Sequence, residues 1–256
     1  LTAFLAIYGV TGLLAATLGM GLGGFAKGVV GFALPLVALS VMASFLPGKT
    51  AVALLILPIL ISNLLQALRS GSGEALICLR KFWRLNLVFA IVIVAAAQLA
   101  AVMSDEMLFG VIGASITVAG LTQLLGVRLE VAPRHAGIAE VGAGALSGLL
   151  GGLAGIWGPP LIMYLLAIRS PKEEMIRAQS ITFFLGALLL LGAHLRSGLL
   201  NATTLPVSAM MIAPTLLGMF IGYRVQDRLD QTLFRKVTLI VLVLSGLNLL
   251  RRAAGF

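Results

Sequence analysis

The chain has 256 residues, 60% of them hydrophobic and 11% charged, with a mean hydropathy of +1.10. Soluble domains carry about 25% charged residues, so a surface this poor in charge cannot face water, and lipid must be the solvent for most of it. The net charge of +9 and the pI near 10.6 would raise nucleic acid as a partner of a soluble protein, but here the basic residues sit between apolar segments. That placement excludes nucleic acid and points to anionic membrane lipid headgroups.

Ten apolar segments follow in chain order, at 3–24, 28–46, 51–68, 85–103, 107–125, 136–154, 156–168, 176–193, 204–222 and 237–250. The length suits one bundle of about eight to ten spanning segments, at ~20 residues each plus loops. Some segments are shorter than a full span, so 28–46 and 156–168 either span or re-enter. No signal peptide with a charged start and a cleavage site is readable. Pro47-Gly48 breaks the chain after the second segment. Ser104-Asp-Glu106 places acids at a helix start, where the dipole favours them. Ser170-Pro-Lys-Glu173 reads as a capping box with Pro at the first helical position. Cys78 is the single cysteine, which excludes an intrachain disulfide and a cysteine metal cluster.

A glycine-rich apolar passage occurs twice, at 19–35 and at 148–160. At an offset of 124, Gly24, Gly28, Gly31 and Pro35 fall on Gly148, Gly152, Gly155 and Pro159. At an offset of 127, Leu68-Arg-Ser-Gly71 falls on Leu195-Arg-Ser-Gly198. The chain therefore reads as a first transmembrane repeat (1–126), a polar linker (127–136) and a second repeat (137–256). Of the 18 Lys and Arg residues, Lys49, Arg196, Arg251 and Arg252 lie in even-numbered loops or the tail, and the others, Lys27 included, in odd-numbered loops. The positive-inside rule puts the odd loops in the cytoplasm. Five segments per repeat is an odd number, so the second repeat is inverted. A pair of Gly/Pro-interrupted segments in corresponding halves is the sequence pointer to a secondary transporter's binding site. The fold expected is an all-α membrane protein, a polytopic bundle of two inverted repeats.

The candidate substrate-binding residues lie on these segments. Gly24, Gly28, Gly31, Gly152 and Gly155 let helices unwind where Pro35 and Pro159-Pro160 remove donors, and freed N–H groups favour an anion. The alternative is small-xxx-small helix packing. Lys27 stands in a run otherwise apolar from Thr17 to Ala33. It supplies positive charge to an anion or exchanges a proton, unless it snorkels to the headgroups. Ser62, Asn63 and Gln66 share a face of the third segment, and Gln179, Ser180 and Thr182 that of the eighth. Neutral amides and hydroxyls coordinate oxyanions, and they also serve as interhelical glue. Trp157 is either an interfacial belt residue or a cavity wall, while Glu140 and His194 belong at headgroup level, with a proton carrier as the alternative. Thr122 and Gln123 are weaker candidates. Arg69 and Arg196 hold equivalent positions at helix ends, where the dipole favours cations.

Enzymatic signatures are missing: there is no His-Glu-x-x-His, no Gly-x-Ser-x-Gly and no Walker-type Gly-x-x-x-x-Gly-Lys, and the two histidines, His135 and His194, lie far apart. No enzyme activity, metal or cofactor is expected, and without an ATP site transport draws on a gradient. The passages Gly-Met-Gly-Leu-Gly-Gly-Phe-x-Lys-Gly-x-x-Gly-Phe-x-Leu-Pro and Gly-Leu-Leu-Gly-Gly-x-x-Gly-Ile-Trp-Gly-Pro-Pro resemble those of the TauE/SafE family of sulfite and organosulfur-anion exporters. Trp157, Pro159 and Pro160 interrupt the glycines of that family's second motif, and Lys27 departs from its plainer pattern. The resemblance implies a multi-pass inner-membrane carrier exporting a small sulfur oxyanion or sulfonate, with protons as a candidate coupling ion. An importer of the same anions, an anion channel and a membrane scaffold without flux are the alternatives.

Overall fold

A computed structural model describes residues 2–42, 45–69, 71–99, 130–154, 157–196 and 200–254, with scattered positions between 110 and 125. Among these residues there are ten α-helices and no strand. They are α1 (Thr2–Val30), α2 (Leu34–Met42), α3 (Gly48–Ala67), α4 (Ser72–Lys81), α5 (Trp83–Leu99), α6 (Ala136–Ala154), α7 (Gly158–Ala167), α8 (Lys172–Arg196), α9 (Thr204–Gln226) and α10 (Gln231–Ala253). The expected segment 107–125 and the acids at 104–106 fall largely or wholly outside the described residues.

The duplication reappears in the helix boundaries. Val30, Leu34 and Gly48 end α1 and start α2 and α3. At the offset of 124, Leu34 and Gly48 fall on Gly158 and Lys172, which start α7 and α8.

The chain forms two compact units. Unit 1 holds residues 1–69 and 187–229, and unit 2 holds 70–186 and 230–256. In unit 1, α1 packs along α9, α2 folds back on α1, and α3 closes against α9. The core comprises Phe4, Ala16, Met20, Leu34, Met42, Leu54, Val207 and Met211. In unit 2, α5 packs along α6, and α7 follows on α6.

The helices are turned inside out relative to a water-soluble bundle. On α1, Ile7, Val10, Leu14, Leu18 and Leu22 form an exposed stripe, each more than half exposed. The buried face of the same helix carries Gly12, Ala15, Ala16, Gly19, Gly23, Gly24 and Lys27. Large apolar residues outward and small or polar residues inward is the pattern lipid imposes, because hydrocarbon rewards close backbone packing and leaves no driving force to bury leucine. Among the described residues three helices, Thr2–Val30, Thr50–Ala67 and Thr204–Gln226, are long and apolar enough to cross a membrane.

Several expectations change. The first segment does not stop at residue 24: α1 stays helical to Val30, so Lys27 lies within a helix and leaves the loop charge count. Glycine residues inside a helix cost only a little stability where a neighbouring helix needs the space, and α9 needs it here. The second segment begins at Leu34, after a break at Gly31-Phe32-Ala33 where Gly31 (φ 88) and Ala33 (φ 76) are left-handed. The stretch 69–84, read as a loop, contains α4, whose mixed polar sequence hides a helix from a hydropathy reading. At about 1.5 Å per residue, α2 and α7 are about 14–15 Å long, half of a ~30 Å hydrocarbon core. At 170–173, Ser170 donates its hydroxyl to the Glu174 carboxylate (2.7 Å) instead of forming the expected capping box.

Candidate functional site

The glycines come first because they fix where helices meet. A methyl group on Gly24 would fall on the Thr215 carbonyl, and one on Gly28 on the Met219 carbonyl. From the other side, Gly218 faces the Gly21 carbonyl and Gly222 faces the Phe25 carbonyl. The first motif is therefore a helix crossing between α1 and α9, with both backbones stripped of side chains. Gly144 and Gly148 do the same on α6, against Leu85 and Phe89 of α5. Gly24 and Gly28 remain helical and their N–H groups stay in the helix, so they present no unwound backbone. Gly31 does, since it sits at the break. Gly152 is half-buried in the last turn of α6, and Gly155 lies outside the described residues.

Lys27 is 2% exposed and does not snorkel. A helical side chain leans toward its own N-terminus, so the ammonium points back into unit 1. There it donates to Asn63 Oδ1 on α3. Among the described residues no carboxylate neutralises it, and the rest of its donor capacity is unspent. A buried charge without an ion partner costs several kcal/mol and is retained where function demands it.

Ser62, Asn63 and Gln66 are at most 2% exposed on α3, where i, i+1 and i+4 spacing groups them. Ser62 donates back to the Ile59 carbonyl (3.2 Å), which leaves its lone pairs open. Neither amide atom of Gln66 has a hydrogen-bond partner. The large majority of buried side-chain polar atoms are paired, so two orphans on Gln66, one helical turn from the Asn63 that holds Lys27, mark a candidate polar site.

Past the end of α3, Arg69, read from the sequence as a helix-end cation, meets two residues that the sequence did not single out, Tyr223 and Gln226. Arg69 follows α3, and its guanidinium lies 3.9 Å from the Tyr223 ring centroid. Its Nη1 donates to Gln226 Oε1 (2.6 Å), and Nη2 reaches both Asp227 oxygens (2.7 and 2.8 Å). Gln226 in turn donates to the Val29 carbonyl at the end of α1 (3.2 Å). The Asp227 pair is exposed and worth about 0–1 kcal/mol. The 1% exposed Gln226 bridge carries more, because its loss orphans buried groups. The Tyr223 hydroxyl is buried and unpaired. A lone Tyr-x-x-Gln at the end of an apolar run carries no motif, and only its pairing with Arg69 reveals it.

Unit 2 holds the second set. Gln179 and Ser180 are fully buried on α8. Ser180 donates to the Ile176 carbonyl (2.6 Å), while both amide atoms of Gln179 are unpaired. Thr182 donates to Asn86 Oδ1 on α5 (2.8 Å), and Asn86 Nδ2 donates to the Phe82 carbonyl (2.9 Å). Trp157, at the N-cap of α7, is no belt residue: it is 8% exposed, packed 6.4 Å edge-on to Phe89 and 6.3 Å from Phe183, with Gly151 making room for it. Glu140, expected at headgroup level, is 7% exposed and accepts the Leu85 N–H at the start of α5 (3.2 Å). The weaker candidates Thr122 and Gln123 lie outside the described residues, and His194 falls in α8.

Charged groups from odd-numbered loops pair with one another within each unit. Arg69 meets Asp227 in unit 1. In unit 2, Lys81 pairs with Glu174 (2.6 Å), Arg177 with Glu74 (3.1 Å) and Arg169 with Glu130. Among the described residues no three His, Cys, Asp or Glu side chains form a metal-holding group.

A family model described as sulfite exporter TauE/SafE matches residues 4–249. Comparison with curated proteins and with solved structures gave no match.

Proposed function

The chain belongs to the sulfite exporter TauE/SafE family and is a membrane transporter, and on that premise we propose that it exports a small sulfur-containing anion, sulfite or an organosulfonate, across the inner membrane by alternating access. The observation that carries this reading is Lys27. Among the described residues its buried ammonium has one hydrogen-bond partner and no counter-ion, and it shares unit 1 with the two orphaned amide atoms of Gln66. An oxyanion supplies what is missing: negative charge for the ammonium and several acceptors for the remaining N–H groups. Ser62 and Asn63 complete the shell.

The helix pairing supports an exchange of elements between two inverted repeats. In unit 1, α1 of the first repeat packs on α9 of the second. In unit 2, α6, the counterpart of α1, packs on α5, the counterpart of α9. Pairing of odd-numbered loops with one another supports a common, cytoplasmic side for them, and the remaining Lys/Arg bias agrees after Lys27 is removed.

The test is counterflow of radiolabelled sulfite in proteoliposomes, challenged with taurine, sulfoacetate, thiosulfate and sulfate. Saturable exchange with competition by some of these supports a carrier and ranks its substrates. Single-channel currents in place of saturable exchange, or no flux in folded protein, overturn the reading.

A further inference from the structure

Around α4 the cations of unit 2 are of two kinds. Lys81 pairs with Glu174 (2.6 Å), and Arg177 pairs with Glu74 (3.1 Å). Arg80 and Arg84 are exposed, and among the described residues neither has a carboxylate partner. The two ion pairs set the register of α4. Glu74, Cys78 and Lys81 stand at i, i+4 and i+7, so this face turns toward α8, with Cys78 buried. Gly73, Leu76, Ile77 and Arg80 share another face, which is turned outward, and a methyl group on Gly73 would meet nothing within 4 Å.

The outward face runs on into α5. At the junction the Phe82 N–H donates to the Cys78 carbonyl (3.0 Å), and the Phe82 carbonyl accepts the Asn86 N–H (3.1 Å). Helical spacing therefore carries through Phe82, and Arg80 and Arg84, four residues apart, are neighbours on one face. The Arg84 guanidinium lies 5.4 Å from the Trp83 ring centroid. Below it Leu87, Ile91 and Val94 continue the face, each more than half exposed, as is Trp83. Leu85, Phe89 and Ile93 are buried on the opposite side, which meets α6. From Trp83 to Val94 the stripe is about 16 Å long, the depth of one leaflet of a ~30 Å hydrocarbon core. Trp at the head of such a stripe suits the membrane interface.

Two arginines without acids, at the head of a leaflet-deep apolar stripe, fit an anion that is joined to a hydrocarbon chain. Guanidinium forks match phosphate oxygens. A free phosphate leaves the stripe unused, and an acidic soluble protein does not follow it into the bilayer. We propose that the α4–α5 junction binds an anionic phospholipid, its phosphate held by Arg80 and Arg84 and an acyl chain lying along Leu87, Ile91 and Val94. The site does not rest on the transport reading.

Fluorescence quenching tests it. The chain has two tryptophans, and Trp157 is buried against Phe89 and Phe183, so quenching by lipids brominated in their acyl chains reports Trp83. The purified full-length protein is reconstituted into phosphatidylcholine vesicles that carry a rising fraction of brominated phosphatidylglycerol or, in parallel, of brominated phosphatidylcholine. A basic side chain near an anionic headgroup is worth about fivefold in affinity, so the wild type is expected to prefer phosphatidylglycerol by at least that factor. Arg80→Gln/Arg84→Gln, at two exposed positions, is expected to melt as the wild type does and to be quenched equally by both lipids. Equal quenching of the wild type by the two lipids, or a preference kept in the folded variant, overturns the site. Quenching by neither lipid also overturns it and leaves the face to a protein partner. Inorganic phosphate, compared with chloride at equal ionic strength, is expected to leave the preference intact; its loss overturns the lipid assignment and gives the arginines to a free anion.

Discussion

At the scale of single residues, the molecule is read through buried polar atoms that have too few partners. Lys27→Met removes the ammonium and keeps the bulk. It is expected to lower sulfite counterflow at least tenfold while leaving the melting temperature unchanged or raised, since an unpaired buried charge destabilises the fold it sits in. Sulfite flux and melting curves on one preparation check both halves. Ala33 is a second informative residue, because its φ of 76 at the break between α1 and α2 is a conformation that costs an L-residue about 1 kcal/mol. Ala33→Gly is expected to keep or slightly raise stability, and Ala33→Val to lower it by more than 1 kcal/mol, as read by thermal melting. Lys27, Ser62, Asn63 and Gln66 were legible in the sequence because polar side chains stand out against an apolar background. Tyr223 and Gln226 were not, since a single polar residue in an apolar run says nothing until its neighbours from other helices are known.

At the scale of elements, two devices keep the backbone satisfied in lipid. Pro58 inside α3 cannot donate to the Leu54 carbonyl, and Ser208 of α9 donates to that oxygen instead (3.0 Å). The same hydroxyl accepts the Leu57 N–H (3.3 Å). Ser208→Ala is expected to cost about 1–3 kcal/mol, the penalty of a buried carbonyl left unpaired. The glycine crossing gives a sharper contrast. Gly28→Val, which places a side chain on the Met219 carbonyl, is expected to cost about 3 kcal/mol. Gly142→Ala, on α6 with nothing within 4 Å, gains about 0.5–1 kcal/mol. Both are read by thermal melting. The sequence showed the glycine motif twice and left its role open between unwinding and packing. It could not decide, because Gly24 and Gly28 look the same in either role; the carbonyls of α9 decide for packing at these two, and the left-handed turn at Gly31 decides for a break there. Hydropathy also missed α4, whose Glu74 and Lys81 pair with Arg177 and Glu174 of α8.

At the scale of the whole molecule, the proposed orientation rests on the Lys/Arg bias and on loop pairing. The single Cys78 provides a silent background for mapping it. Burial and the Glu174 carboxylate push its thiol up to about 11, so at neutral pH it stays protonated and reacts slowly with maleimides, and only near pH 11 does the thiolate appear. Arg228 and Ala202 are both exposed, the first in an odd-numbered loop and the second in an even-numbered one. In a Cys78→Ala protein, Arg228→Cys is expected to resist an impermeant maleimide in intact cells, and Ala202→Cys to be labelled. The opposite pattern inverts the orientation. The fold class and the duplication were plain in the sequence, because lipid solvation and a repeated Gly/Pro break leave direct traces in composition and spacing. The grouping of helices into units that each draw on both halves of the chain was not, since it depends on contacts between α1 and α9 and between α5 and α6 that no local pattern encodes.

The central claim is that the Lys27 ammonium, with Asn63 and Gln66, binds the transported anion. Equilibrium binding of radiolabelled sulfite to purified wild-type and Lys27→Met protein tests it most directly, with melting curves establishing that both are folded. The account predicts saturable binding to the wild type and its loss, by at least tenfold in affinity, in Lys27→Met. Equal binding to both folded proteins contradicts it and moves the anion site away from α1.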